Sequence, residues 1–293
     1  MHSDRDLVTL PFTTLHGVDG PAPGAIELRV LGDVTVIGAQ GTFAPGRARP
    51  GALLALLAIH AGECVPVDRL VDELWPGHES SQGAKRVQVN VLRLRRALER
   101  VVPGLDGAAV VRTRSRGYAL QVDPESLDAV RFARLVSRGR GELDAGDAAR
   151  AAGTLRAALA LWRGDPYAGY GYECFAAAEI RRLEELRACA LEGWAEAQLE
   201  LGAHATIAAE LERLVARHPL REHLHALLMV ALYRCRRQGE ALAAYQVARS
   251  LLVDGLGIEP GSELRGLQRA ILAQSPTLEL AGREVTLGLR AVA

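Results

Sequence analysis

Apolar positions change their spacing along the chain, and each change marks an element. Over residues 26–37 apolar and polar residues alternate around Gly32-Asp33, which predicts a short two-stranded hairpin. After Pro50 the run Leu53-Leu54-Ala55-Leu56-Leu57-Ala58-Ile59 is apolar all round and ends before Gly62, the pattern of a buried helix. Pro66 and Asp68 open a second short helix, with Leu70, Val71 and Leu74 apolar and Trp75-Pro76-Gly77 at its end. A polar loop is expected over 77–83 and a third helix over about 84–101. At about 100° per residue, Val87, Val91, Leu94 and Leu98 of that helix share one narrow arc. Lys85, Val89, Arg93, Arg96 and Arg100 share the opposite arc, with Gln88 and Leu92 on its flank. Val110-Val111-Arg112-Thr113 and Tyr118-Ala119-Leu120-Gln121-Val122 then read as two strands joined through Arg114-Ser115-Arg116-Gly117.

A hairpin, three helices and a basic hairpin make the winged helix-turn-helix layout, in which the third helix enters the DNA major groove and the second hairpin lies beside it. From Phe132 to Leu272 the spacing is helical, broken at Gly146, Gly164-Asp165-Pro166, Gly202, Pro219, Gly239 and Gly257. Gly202 and Gly239 lie 37 residues apart in similar helix pairs, close to the ~34-residue tetratricopeptide period. The fold expected is therefore mainly α: an α+β winged helix-turn-helix over 25–123, then an all-α tetratricopeptide-like repeat domain over 124–275. Residues 1–24 read as a loose leader and 276–293 as a tail. A helical-repeat stack can present a concave face to a partner, or serve only as a scaffold that holds its neighbours.

Composition narrows the chemistry. With aromatics at 4% of the 293 residues, the cores must be built from Ala, Leu and Val. The longest apolar run, 52–59, is far shorter than the ~20 residues of a membrane span, and the N-terminus has no signal-peptide core, so a cytoplasmic protein is expected. Cys64, Cys174, Cys189 and Cys235 form no C-x-x-C pair, and buried reduced thiols are expected. Lys85 is the sole lysine and follows no spaced glycine, so a phosphate-binding loop is excluded. His218, His223 and His225 lack the spacing of a zinc site, no catalytic triad stands out, and neither enzyme chemistry nor a cofactor is expected.

Net charge is zero, yet residues 28–122 carry thirteen basic against eight acidic side chains. Within 84–116 nine basic residues face only Glu99 and Asp106, a local +7 that is the footprint of a polyanion partner. The candidate DNA-contacting residues are Lys85, Arg86, Gln88, Val89, Leu92, Arg93 and Arg96 on the third helix, and Arg112, Thr113, Arg114 and Arg116 on the second hairpin. An arginine fork can grip guanine O6/N7 or a phosphate. Arg95 lies nearer the core arc, a position for a phosphate or intradomain contact, and Arg47 and Arg49 are weaker candidates. The exposed pair Val89 and Leu92 has two readings, contact with thymine methyls or packing against a neighbouring protomer.

The runs Val65-Pro66-Val67-Asp68-Arg69-Leu70-Val71-Asp72-Glu73-Leu74-Trp75-Pro76, Val91-Leu92-Arg93-Leu94-Arg95-Arg96-Ala97-Leu98 and Gly117-Tyr118-Ala119-Leu120 closely resemble the Streptomyces antibiotic regulatory protein family, with its OmpR-type DNA-binding domain. Further on, Leu161-Trp162-Arg163-Gly164-Asp165-Pro166, Arg217-His218-Pro219-Leu220-Arg221-Glu222, Ala241-Leu242-Ala243-Ala244-Tyr245 and Leu256-Gly257-Ile258-Glu259-Pro260 resemble that family's bacterial transcriptional activator domain. Together these runs cover roughly residues 26–275. The resemblance implies a small, stand-alone activator of a secondary-metabolite gene cluster, which binds direct repeats near the minus-35 element and contacts RNA polymerase holoenzyme. It implies a homodimer or tandem protomers on double-stranded DNA, and a polymerase contact, through the σ factor, at Pro76, Gly77, His78, Glu79, Ser80, Ser81 and Gln82. Without the resemblance this loop reads as a solvated turn, and the whole chain could be a helical-repeat interaction scaffold with weak or no specific DNA binding.

Overall fold

The computed structural model describes residues 26–46, 48–77 and 80–278. The expected leader and the tail beyond residue 278 lie outside them, as do Arg47, His78 and Glu79. The described chain is mainly helical, with a small N-terminal β region, and divides into two compact units. One comprises the residues up to Leu135 together with Ala157–Arg187, the other Val136–Arg156 together with the residues from Ala188 on. The division falls inside helices, downstream of the winged-helix segment.

In the first unit β1 (Glu27–Arg29), β2 (Thr35–Gly38) and β3 (Gly41–Phe43) form an antiparallel meander. The expected hairpin is its first two strands. The third strand gives almost no alternation, since Phe43 is its one large apolar residue, and it forms because β2 supplies a ladder from Val36 to Gly38. Gln40 N donates to Val101 O at 3.0 Å, so this turn rests on the end of the third helix. Next, α1 (Arg49–Ile59) has Pro50 in its first turn and is buried from Gly51 to Ala58, as an all-apolar helix must be.

The strand β4 (Val65–Pro66) leads into α2 (Val67–Leu74), followed by α3 (Ser80–Val101). The start of α3 corrects the sequence reading by four residues. Ser80, Ser81 and Gln82 belong to its first turn, and Gly83 is helical too. Gly83 closes the expected polar loop, but a Cβ there would run into the Val71 side chain, so its role is close packing of α2 on α3. A short helix, α4 (Gly107–Val110), is capped by Asp106, whose carboxylate accepts from Ala108 N at 2.8 Å. It feeds β5 (Val111–Arg114) and β6 (Gly117–Leu120), which with β4 make a second antiparallel sheet in the order β4-β6-β5.

The same unit continues into α5 (Asp128–Asp144), α6 (Ala148–Leu159) and α7 (Cys174–Glu200), parts of which belong to each unit. Asp128 has no solvent exposure. Its carboxylate accepts from Val30 N at 2.8 Å, Leu31 N at 3.2 Å and the Arg163 guanidinium at 2.5 Å. Backbone bonds run alongside: Arg163 N to Leu31 O at 2.8 Å, Tyr167 N to Val30 O at 2.7 Å, and Ala168 N to Gly32 O at 3.0 Å. Trp162 packs edge-on to Phe132 at 5.3 Å, with the Arg187 guanidinium 4.5 Å above its ring. It is half-buried, and its ring is occupied by these two contacts.

The second unit is helical throughout, with α8 (His204–Arg217), α9 (Glu222–Arg234), α10 (Gln238–Leu256) and α11 (Ser262–Leu272). The central helix α9 is buried continuously from Leu224 to Leu232. Small side chains let helices approach, as in the buried cluster of Leu143, Ala151, Ala152 and Ala197. The repeat period sharpens here. Gly202 follows α7 with φ at 81°, but the corresponding left-handed residue after α9 is Arg236, with φ at 62°, and Gly239 lies in the first turn of α10. Both turns close identically, Ala203 N to Gln198 O and Arg237 N to Leu232 O, each at 3.0 Å. The spacing is 34 residues rather than 37.

His223 of α9 lies between Glu196 of α7, at 2.7 Å from Nε2, and Glu263 of α11, at 3.1 Å from Nδ1. Burial alone would drive its pKa down, but the hydrogen bonds and charges of the two carboxylates outweigh this and push it up to about 10. His225 is buried and held below its usual range by burial, while its Nε2 meets Pro219 O at 2.9 Å. All four cysteines are free; contrary to expectation, Cys64 and Cys174 are exposed and the other two half-buried. Among the described residues no helix is long and apolar enough to cross a membrane.

Two outcomes follow from these buried charges. Asp128→Ala leaves two amides and a guanidinium without their acceptor, and should cost about 3–5 kcal/mol, read from the urea midpoint of the first unit's unfolding. Because the folded pKa of His223 is raised above 6.5, its contribution is fully present below that pH and is lost as pH rises to about 10. The gap in unfolding temperature between the parent chain and His223→Ala should therefore narrow from pH 6.5 to 10. A gap that widened over this window would refute the assignment.

Candidate DNA interface

The α3 wheel divides as its sequence dictates. Val87, Val91, Leu94 and Leu98 are buried in the first unit, and Asn90 beside them returns a hydrogen bond to Arg86 O at 2.8 Å. On the other side Lys85, Arg86, Gln88, Val89, Leu92, Arg93 and Arg96 are exposed, Val89 and Leu92 each at 47%. Arg93, Arg96, Glu99 and Arg100 line a shallow, open depression on this face. Glu99 is engaged elsewhere, accepting from Gly107 N at 3.2 Å.

The hairpin is held beside α3 by Arg95. Its Nε donates to Val111 O at 2.9 Å and one terminal nitrogen to Thr113 Oγ1, also at 2.9 Å. Of the two roles open to Arg95, the intradomain one is observed. It was not anticipated that its partner would be Thr113, whose hydroxyl already has one bond inside the protein. Arg112, Thr113 and Arg114 are exposed along β5, and Arg116 is exposed in the two-residue turn that pairs Arg114 with Gly117.

That turn is tied down from below. Val67 N, at the start of α2, donates to Arg116 O at 3.0 Å, and Val65 pairs with Tyr118. A Cβ at residue 117 would collide with the Val65 carbonyl oxygen, so the crossing of β4 and β6 requires Gly117. The hairpin, α2 and α3 therefore move together. Among the described residues, Lys85, Arg86, Arg93, Arg96, Arg112, Arg114 and Arg116 have no carboxylate partner, so this face is basic without internal compensation. Such a face has the electrostatics that attract a polyanion.

Arg49 is occupied differently, its guanidinium 5.9 Å above the Trp75 ring. The proposed polymerase loop is shorter than its sequence suggested. Pro76 and Gly77 precede the helix and are exposed, whereas Ser80, Ser81 and Gln82 are its first turn. His78 and Glu79 lie outside the described residues. A run of four polar residues between two helices gives no signal for where the second helix begins, because serine both caps helices and populates loops.

Comparison with known proteins agrees with this architecture. Residues 127–272 match the bacterial transcriptional activator domain, and residues 46–120 match the C-terminal family of transcriptional regulatory proteins. Transcriptional regulator RedD of Streptomyces coelicolor is 41% identical over 262 residues, spanning 88% of this chain and 73% of that protein. Regulatory protein DnrI of Streptomyces peucetius is 36% identical over 263 residues, spanning 89% and 97%. The solved structure of Mycobacterium tuberculosis EmbR in complex with a low affinity phosphopeptide has a TM-score of 0.83 at 30% identity, covering 91% of this chain and 68% of that one. With an OmpR-type winged helix continued by a bacterial transcriptional activator domain, and with these relatives, the chain belongs to the Streptomyces antibiotic regulatory protein family of DNA-binding transcriptional activators.

Proposed function

We propose that this chain activates a secondary-metabolite biosynthetic gene cluster by binding direct repeats near the minus-35 element and recruiting RNA polymerase holoenzyme. The observation that supports this best is the unpaired basic face of α3 and the β5–β6 turn, fixed in one geometry by Arg95. Arg93 and Arg96 lie on the outermost arc and are assigned to base edges or phosphates, and Arg112, Arg114 and Arg116 to the adjoining backbone or minor groove. One winged helix reads few base pairs, so two protomers are needed for strong specificity. On direct repeats these protomers are related by translation along the groove, with half-sites about one helical turn apart. This action is cytoplasmic and uses no cofactor.

Recruitment is assigned to Pro76, Gly77, His78 and Glu79 with the first turn of α3, where Ser80, Ser81 and Gln82 follow. The support is the family's shared architecture and the chemistry of the segment. It has no arginine or lysine to seek phosphate, and Glu79 can pair with a basic surface of the σ factor.

Arg93→Ala and Arg96→Ala should each weaken specific binding by about 1–3 kcal/mol without loss of fold, since the buried arc is untouched. Arg114→Ala should weaken all duplexes evenly and lower the salt slope by about one. Gel shifts over a salt series, on the promoter beside the chain's own gene and on unrelated DNA, check both; unchanged promoter affinity in the α3 variants overturns the interface. Glu79→Arg should leave promoter affinity unchanged and reduce transcription in a reconstituted assay. Full activation by Glu79→Arg moves the polymerase contact to another surface.

A further inference from the structure

The basic face of α3 has an apolar centre. Taking Val89 as the middle of the exposed arc of α3, the helical period sets Arg96 and Arg100 within about 20° of it and Lys85 and Arg93 within about 40°, with Leu92 about 60° away. Both apolar side chains are 47% exposed. Such exposure has an unfavourable hydration cost and gains nothing for the core, which is filled by the opposite arc. The surrounding arginines have no carboxylate partner among the described residues, so charge complementarity selects a polyanion as the occupant rather than a second, equally basic copy of the face. The apolar group that a DNA major groove presents is the thymine 5-methyl.

We infer that Val89 and Leu92 read thymine methyl groups at neighbouring base pairs of each half-site, between arginines that hold the flanking guanines or phosphates. This rests on the proposed DNA-binding function and adds to it the base class that the helix selects. The spacing suits the task. Three residues advance about 4.5 Å along a helix axis, against ~3.4 Å per base-pair step, so two side chains on one face reach methyl groups about one step apart. Both side chains end in a pair of methyl groups and carry no polar atom, so they discriminate a methyl from a hydrogen by contact and not by hydrogen bonding. Buried Asn90 turns its amide back to Arg86 O, so of the two amides beside this strip only that of Gln88 is exposed.

The test removes the methyl alone. Duplexes selected by the full-length chain from a randomised pool give the preferred repeat, which is then synthesised with each thymine in turn replaced by uracil. For the parent chain, two neighbouring replacements in a half-site should each weaken binding about fourfold, the worth of one buried methyl-sized group. With Val89→Ala one of these losses should vanish, and with Leu92→Ala the other. Uracil tolerated throughout the repeat by the parent chain overturns the inference and needs no variant. Losses that persist unchanged in both variants overturn it as well. If the variants instead turn a solution dimer into a monomer and uracil has no effect, the pair is a contact between protomers. Failure to select any sequence would sink the DNA-binding proposal itself, an outcome distinct from a selected repeat that ignores its methyls.

Discussion

The buried carboxylate of Asp128 is the point on which the first unit turns. A fully buried charge is strongly unfavourable unless every lone pair is used. Here it is the acceptor for two consecutive amides, Val30 and Leu31, and for Arg163. The amides would otherwise be unsatisfied where the chain leaves β1, and the guanidinium comes from beyond α6. One residue thus makes the N-terminal meander, the start of α5 and the 163–168 turn mutually dependent. The backbone bonds from Arg163, Tyr167 and Ala168 to residues 30–32 extend the same seam. Because the family match to the activator domain begins at residue 127, this seam ties the winged-helix segment to the stretches of that domain that share its unit.

Rigidity near the nucleic-acid face comes from a different device. Arg95 uses its planar fork on Val111 O and Thr113 Oγ1, a geometry that lysine could not reproduce. Gly117 lets β6 cross β4 at backbone contact, and Arg116 O takes the first free amide of α2. An arginine in the middle of a basic stretch is thereby used for structure while its neighbours stay free. Preorganisation of this kind lowers the ordering cost that binding must otherwise meet.

Much of this was legible in the sequence where one periodicity held for several turns. The α3 wheel is the clearest case, since a buried arc of Val87, Val91, Leu94 and Leu98 leaves Arg93 and Arg96 only one place to go. What escaped depended on partners distant in the chain. Asp128 resembles any helix-opening aspartate, and nothing local reveals that Val30 and Leu31 lie 98 and 97 residues away in sequence but within hydrogen-bonding reach. Gly83 and Gly117 read from the sequence as loop and turn residues, while their real constraint is the absence of a Cβ opposite Val71 and the Val65 carbonyl. Arg236 hid the repeat period, because a left-handed residue is expected to be glycine and here is not.

Zero net charge also acquires a physical meaning from the distribution of partners. Outside the α3 face, many arginines are met by carboxylates close by, among them Arg138 by Glu142, Arg182 by Glu179, Arg213 by Glu210, Arg237 by Glu240 and Arg249 by Glu259. Exposed pairs of this sort add little to stability. Their effect is on the field, because each pair cancels its own charge within a few ångströms and leaves nothing to attract a polyanion at a Debye length of ~10 Å. The arginines of α3 and the β5–β6 turn have no such neighbours among the described residues. A chain with as many acids as bases therefore still presents a net-positive surface at α3 and the β5–β6 turn. A duplex would be steered to it by the pairing of arginines elsewhere as much as by the arginines that it touches.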